Sequence, residues 1–353
     1  MEIGVQSILL SWFCHPSLRR WLPLLAGGLL CGLATVSQAA QPAPRCGVYS
    51  NSQLGEIHVL SPDLMQRRVK DSTPELLHYQ RVDGQLKVFN LDLGIGDAYT
   101  LLDDGRAIDT GMDFVYTLTR PLFCQPPMPA ATSVAGQACW QDLEACGQNS
   151  IQASDKDLRD MCADRLWFAC TRLFAGEPAA WLQSALAAGP LPKPLPADRL
   201  EEAAQICLKG MSGAVCKEAA NVNWDAGRYL QARALLRHAC AAPLADPTAC
   251  LAAEGMASLT GTALAAPAPA GLPRGRFRSD TGLARDITFG DSGQVTGFAG
   301  LVMQARLEHG LIHMRHNQGG DFILRRVGEG TLIGLDMWNR LSVYEAQPDS
   351  PAH

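Results

Sequence analysis

The chain has 353 residues, 47% hydrophobic and 18% charged, with a formal net charge of −5 at pH 7. This length holds two or three modest domains, and the composition excludes a disordered chain. Residues 1–40 contribute Glu2, Arg19 and Arg20, so the remainder carries −6 without any Lys/Arg run, which makes nucleic acid a poor partner.

Residues 1–40 read as a signal peptide. Arg19-Arg20 precede the apolar run from Trp21 to Val36, and Ser37-Gln-Ala39 supplies small residues for cleavage near Ala39. The run is short and glycine-rich for a membrane span, so no stable span is expected after cleavage; an uncleaved anchor is the alternative. A lipoprotein signal fits less well, because Cys31 follows Leu30, and a twin-arginine signal fits poorly with cargo that oxidises after crossing. Twelve cysteines less Cys14 and Cys31 leave ten, an even number that suits disulfides in a periplasmic or secreted protein. A reduced zinc site is the competing reading, but the mature chain has no Cys-x-x-Cys.

Residues 46–125 are expected to form an antiparallel β unit. Gly47-Val-Tyr49, Glu56 to Leu60, Leu76 to Tyr79, Leu86 to Phe89 and Tyr99 to Leu102 collect β-formers, with turn signals at Asp83-Gly84, Gly94-Ile-Gly96 and Asp103-Asp104-Gly105. Cys46 and Cys124 bracket this unit and are placed to tie its ends, a bridge worth ~4 kcal/mol on chain entropy.

After a linker at Pro126-Pro-Met-Pro129, residues 136–262 carry helical spacing, through Trp140, Leu143, Leu158, Met161, Leu166, Trp167, Leu173 and Phe174. Asp164-Arg165 starts a new helix between Cys162 and Cys170, which favours their pairing. Cys139 and Cys146 need a helix break to pair, or pair elsewhere. A stiff linker over 189–196 leads into Cys207, Cys216, Cys240 and Cys250. On an unbroken helix Cys207 and Cys216 would lie ~13 Å apart. Gly210-Met-Ser-Gly213 breaks that helix, and Pro243 to Pro247 breaks the next, so each pair can staple one helix end to the following helix start.

The run Gly227-x-Tyr229-x-x-Ala232-x-x-Leu235-x-x-x-Ala239-Cys240, with Cys250 beyond the next turn, resembles the Sel1-like branch of the tetratricopeptide superfamily, in its cysteine-rich secreted form. The resemblance covers about a third of the chain. It implies stacked helix pairs, each closed by a disulfide, in proteins that mostly bind other proteins; some members are described as weak β-lactamases, but no Ser-x-x-Lys is present.

A second linker over 265–273 precedes another antiparallel β unit at 274–347. It echoes the first: Gly47-x-Tyr49 parallels Gly275-x-Phe277, Asp83-Gly84-x-Leu86-x-Val88 parallels His309-Gly310-x-Ile312-x-Met314, and Tyr99-x-Leu101 parallels Phe322-x-Leu324. The expected class is therefore α+β, a central disulfide-stapled α-helical repeat (Sel1/TPR-like) flanked by two small antiparallel β units. Isolated residues 136–262 are expected to fold and to carry the binding.

Catalytic signatures are thin. Asp109-Thr-Gly111 and Asp280-Thr-Gly282 match the aspartic-protease triplet, but they fall late in the first β unit and early in the second, and Asp, Thr and Gly are ordinary turn residues. His309, His313 and His316 align as ligands only on a helix, whereas this segment alternates as a strand. No metal or other cofactor is expected. Trp140, Trp167, Trp181, Trp224 and Tyr229 mostly belong to a core; Trp224, Tyr229 and Trp181 are the candidates for a recognition face. The functional expectation is an exported module that binds another envelope or secreted protein, for example an inhibitor or immunity protein against a secreted antibacterial enzyme. A cell-envelope hydrolase, acting on peptidoglycan or of aspartic-protease type, is the alternative.

Overall fold

From Gly47 onward the chain runs through eight strands: β1 (Gly47–Asn51), β2 (Gly55–Val59), β3 (Leu64–Val69), β4 (Glu75–Val82), β5 (Gln85–Asn90), β6 (Ile95–Leu101), β7 (Arg106–Asp109) and β8 (Val115–Pro121). Each pairs antiparallel with the next. β8 returns to β1, with Val48 opposite Arg120, so the sheet closes into a barrel without free edges. Tyr49, Ile57, Val59, Met65, Leu77, Tyr79, Leu86, Val88 and Tyr116 pack together as its core. The Cys46–Cys124 disulfide spans 78 residues and ties the two ends.

A second closed barrel has the same up-and-down order: β9 (Gly275–Arg278), β10 (Asp286–Phe289), β11 (Gln294–Phe298), β12 (Leu301–Glu308), β13 (Leu311–Arg315), β14 (Asp321–Val327), β15 (Thr331–Gly334) and β16 (Val343–Ala346). β16 closes on β9, with Ala346 opposite Phe277. The β12–β13 turn uses His309 and Gly310 at φ 51° and 77°, the left-handed pair that a two-residue hairpin requires. Phe277, Ile287, Phe289, Val295, Met303, Ile312, Met314, Leu324, Leu332 and Tyr344 fill this barrel. The three matched segments of the sequence fall on strands eight apart, β1 with β9, β5 with β13 and β6 with β14.

This computed structural model describes residues 45–70, 72–82, 85–101, 106–109, 114–175, 193–210, 212–241, 244–267, 269–282, 284–298, 301–315, 321–336 and 338–348. Residues 1–40, expected to be a signal peptide, and Trp181 lie outside them. Between the barrels in sequence come α1 (Val134–Gln141), α2 (Leu143–Asn149), α3 (Asp155–Ala163), α4 (Trp167–Ala175), α5 (Ala197–Lys209), α6 (Gly213–Asp225), α7 (Tyr229–Cys240), α8 (Pro247–Gly255) and α9 (Gly261–Ala265). The other four disulfides, Cys139–Cys146, Cys162–Cys170, Cys207–Cys216 and Cys240–Cys250, each join one helix to the next. Asp142 supplies the break that the first of these needs. It sits at φ −146°, ends α1, and accepts the Ala145 N–H at 3.0 Å as the N-cap of α2. Arg165, at φ 68°, breaks the chain between α3 and α4. No helix among the described residues is long and apolar enough to cross a membrane.

The expected fold class needs correction. The β units are closed eight-stranded barrels, not small sheets, and they are not appended to a self-contained repeat. The helical core continues into Leu76, Phe89 and Leu91 of the first barrel. It also takes in Ile323, Val327, Ile333, Leu335, Leu341 and Val343 of the second. Of these, Leu76, Phe89, Ile323, Ile333 and Val343 alternate along their strands with Leu77, Val88, Leu324, Leu332 and Tyr344, which point into the barrels. The helices thus bury their apolar faces against two barrel walls, and no Sel1-like stack of repeats is evident among the described residues. A helical segment whose core is completed by barrel side chains is not expected to fold alone, which also corrects the reading of 136–262 as an independent module.

Candidate functional site

The helices meet each barrel along a seam of buried polar groups. At the first barrel, the Leu76 N–H donates to Asp92 Oδ2 at 2.8 Å and the Ser212 hydroxyl donates to Asp92 Oδ1 at 2.5 Å. Beside them Lys217 Nζ donates to Thr73 Oγ1 at 2.6 Å and Thr248 Oγ1 at 2.9 Å, and burial pulls its pKa down. These contacts join a β3–β4 loop, α6 and the start of α8.

The second seam holds the candidate site. Trp224, near the end of α6, is fully buried; its Nε1–H donates to the Gly334 carbonyl of β15 at 2.7 Å, and its ring meets Tyr229 edge-on at 4.7 Å. It is therefore the pin between helix and barrel and offers no surface to a partner. Gly227, at φ 77°, turns the chain from α6 into α7 and brings Tyr229 back over Trp224. Arg325 of β14 donates to the Tyr229 hydroxyl at 3.0 Å. Arg340, in the β15–β16 loop, pairs with Asp225 Oδ2 at 2.8 Å.

Around these residues lies a pocket of about 190 Å³, lined by Pro194, Asp225, Ala226, Gly227, Tyr229, Arg325 and Leu335. The Asp225 side chain is only 6% exposed, and its Oδ1 is buried with no hydrogen-bond partner among the described residues. Burial raises its pKa to about 6; the Arg340 guanidinium opposes that shift, and Glu218 adds to it. Burial also raises the Tyr229 pKa, against the pull of Arg325.

The β15–β16 loop, which reaches the pocket through Leu335 and Arg340, also carries Trp338, 48% exposed. The loop is held from below. Asp336 Oδ1 accepts the Trp338 and Asn339 N–H groups at 2.9 and 3.1 Å, its Oδ2 accepts the Ile323 N–H at 2.8 Å, and the Asn339 amide donates to both oxygens. Tyr344 inside the barrel then donates to Asn339 Oδ1 at 2.7 Å. Trp338 has no role in the sequence reading. The signal that marks it is an Asx turn carrying a tryptophan between two β runs.

Of the three sequence candidates, Tyr229 lines the pocket, Trp224 lies beneath it, and Trp181 is outside the described residues. Trp140 packs edge-on against His78 at 4.7 Å, and Trp167 is buried. The second Asp-Thr-Gly triplet serves a turn; of the first, only the Asp109 backbone, at the end of β7, lies among the described residues. Asp280 is 69% exposed, the Thr281 and Gly282 N–H groups donate to Ser279 Oγ, and a Cβ on Gly282 would sit 2.1 Å from the Tyr344 hydroxyl. Asp109 ends β7, whereas Asp280 follows β9, so they occupy non-equivalent places in their barrels. His309 lies in a hairpin turn, His313 on β13, and His316 outside the described residues. Cys207, Cys216 and His238 have potential ligand atoms within 4.8 Å, but both sulfurs are consumed by their disulfide. Comparison with protein-family models, with curated proteins and with solved structures gives no match for this chain.

Proposed function

We propose that this chain is an exported protein-binding protein, of the inhibitor or immunity kind, and that it recognises its partner through the seam of α6, α7 and the second barrel. The observation that carries this reading is Trp338, a half-exposed indole on a loop fixed by the hydrogen bonds to Asp336. A rigid aromatic loses little freedom on binding, and Trp, Tyr and Arg dominate the energetics of protein recognition. Tyr229, Arg325 and Arg340 lie along the same seam. Five disulfides favour an oxidising compartment, which agrees with the export reading of the N-terminus. The likeness of residues 227–240 to Sel1-like proteins, which mostly bind other proteins, points the same way.

The test is photocrosslinking in cells from an unnatural amino acid placed at position 338. A discrete protein adduct, competed by unlabelled chain and absent from a control at Lys156 on α3, is the expected result. Equal labelling from the two positions would overturn the proposal.

A further inference from the structure

We propose that the seam pocket receives a lysine side chain of the bound partner, with Asp225 Oδ1 as the acceptor of its ammonium group. This rests on the reading of the chain as a protein-binding protein. Asp225 Oδ2 is committed to Arg340, Oδ1 is a buried acceptor without a donor among the described residues, and the residue lines the pocket. A buried oxygen left in this state costs the free protein about 1–3 kcal/mol, and a ligand that supplies a donor recovers it. The occupant must therefore bring an N–H or O–H group. A carboxylate would instead place like charge against Asp225.

The walls select the stem. Ala226, Leu335, the Pro194 ring and the Tyr229 ring are apolar and suit a chain of methylenes. The head is selected by charge. Asp225 feels Arg340 from the β15–β16 loop, Glu218 from its own helix and Tyr229 from α7, and Arg325 of β14 lines the same pocket. Arg340 and Arg325 are already held by Asp225 and Tyr229, so a second broad guanidinium would crowd them, whereas a compact ammonium needs only the vacant oxygen.

Proton linkage gives the proposal a second handle. Ammonium binding requires the carboxylate form of Asp225, whose pKa lies at about 6, so affinity is full above pH 7 and falls as pH drops through that value. The probes are n-butylammonium, n-propylguanidinium and butyrate, titrated against the mature protein with ligand-observed NMR. Butylammonium is expected to bind best at pH 7.5 and to weaken by about tenfold near pH 5. Ala226→Leu, which fills the pocket and removes no polar group, is expected to abolish binding, as is Asp225→Asn. Preference for butyrate or propylguanidinium, or butylammonium binding unchanged in Ala226→Leu, would overturn the lysine assignment. Crosslinking from position 338 without butylammonium binding would overturn only the occupant; failure of both would overturn the recognition surface itself.

Discussion

Asp92 sits where the first barrel meets the helices, and its replacement separates charge from shape. The carboxylate is fully buried and uses both oxygens, one on the Leu76 N–H and one on the Ser212 hydroxyl. Burial outweighs these donors and raises its pKa from 3.8 to about 6, with Glu75 and Asp246 adding to the rise. The folded chain then holds a proton that the unfolded chain releases. The resulting stability is complete below the unfolded value, declines as pH rises between about 4 and 6, and is gone above that; the difference is on the order of 3 kcal/mol. Asp92→Asn keeps an acceptor for Leu76 and can donate to Ser212 Oγ. At pH 7.5 it should match or exceed the wild type, with one proton less in its pH dependence. Asp92→Ala strands the Leu76 N–H and the Ser212 hydroxyl, and should be about 2–4 kcal/mol less stable than Asp92→Asn at every pH, since neither variant titrates here. The assay is urea unfolding of the oxidised mature protein from pH 4.5 to 7.5. An Asp92→Asn variant as unstable as Asp92→Ala at pH 7.5, or with the wild-type pH slope, would refute this reasoning.

Other consequences follow from the same contacts. Replacing Cys46 and Cys124 together with serine should lower unfolding stability by ~4 kcal/mol, because the bridge closes a loop of 78 residues; a loss below ~1 kcal/mol would contradict its place as the clasp of the first barrel. Asp164 accepts hydrogen bonds from the backbone and hydroxyl groups of both Thr132 and Ser133 at the start of α1. Burial pushes its pKa up, but these donors together outweigh burial and hold it below the ordinary value, so this contribution is present at neutral pH and lost in acid, opposite in sign to Asp92. Asp164→Ala should therefore cost about 2–4 kcal/mol at pH 7, read by denaturant unfolding, and little at pH 2. Trp224→Phe removes the donor to the Gly334 carbonyl and should cost about 1–3 kcal/mol, with hydrogen exchange rising in β14 and β15; uniform exchange change across both barrels would contradict its role as a local pin.

What the sequence revealed and what it hid divide along physical lines. Local chemistry was legible: the disulfides lie where helix breaks allow them, and Asp142 and Arg165 supply two of those breaks. Barrel closure was not legible, because the pairing of β1 with β8 joins residues about seventy positions apart and leaves no periodic mark. β3 was missed because Gln66, Arg67 and Arg68 dominate it, and only Met65 is fully buried. β11 carries little sequence pattern because Gly297 interrupts it; that glycine is required, since a Cβ there would meet the Asp286 carbonyl oxygen at 2.0 Å. Trp224 misled for a related reason. An aromatic beside an inter-helix turn looks accessible until a barrel wall covers it, and nothing local in the sequence announces that wall. The Sel1-like resemblance rests on residues 227–240, which fall on one helix and the turn before it, and says nothing of the side chains from both barrels that complete the core.

The central claim is that the half-exposed indole of Trp338, on the loop that Asp336 fixes, carries partner recognition. The most direct measurement is the affinity of the mature chain for the protein crosslinked at position 338, before and after Trp338→Ala, with unfolding curves confirming equal stability. The account expects a loss of at least 2 kcal/mol, roughly thirtyfold in Kd, as for aromatic anchors at other interfaces. A change below about threefold would contradict it.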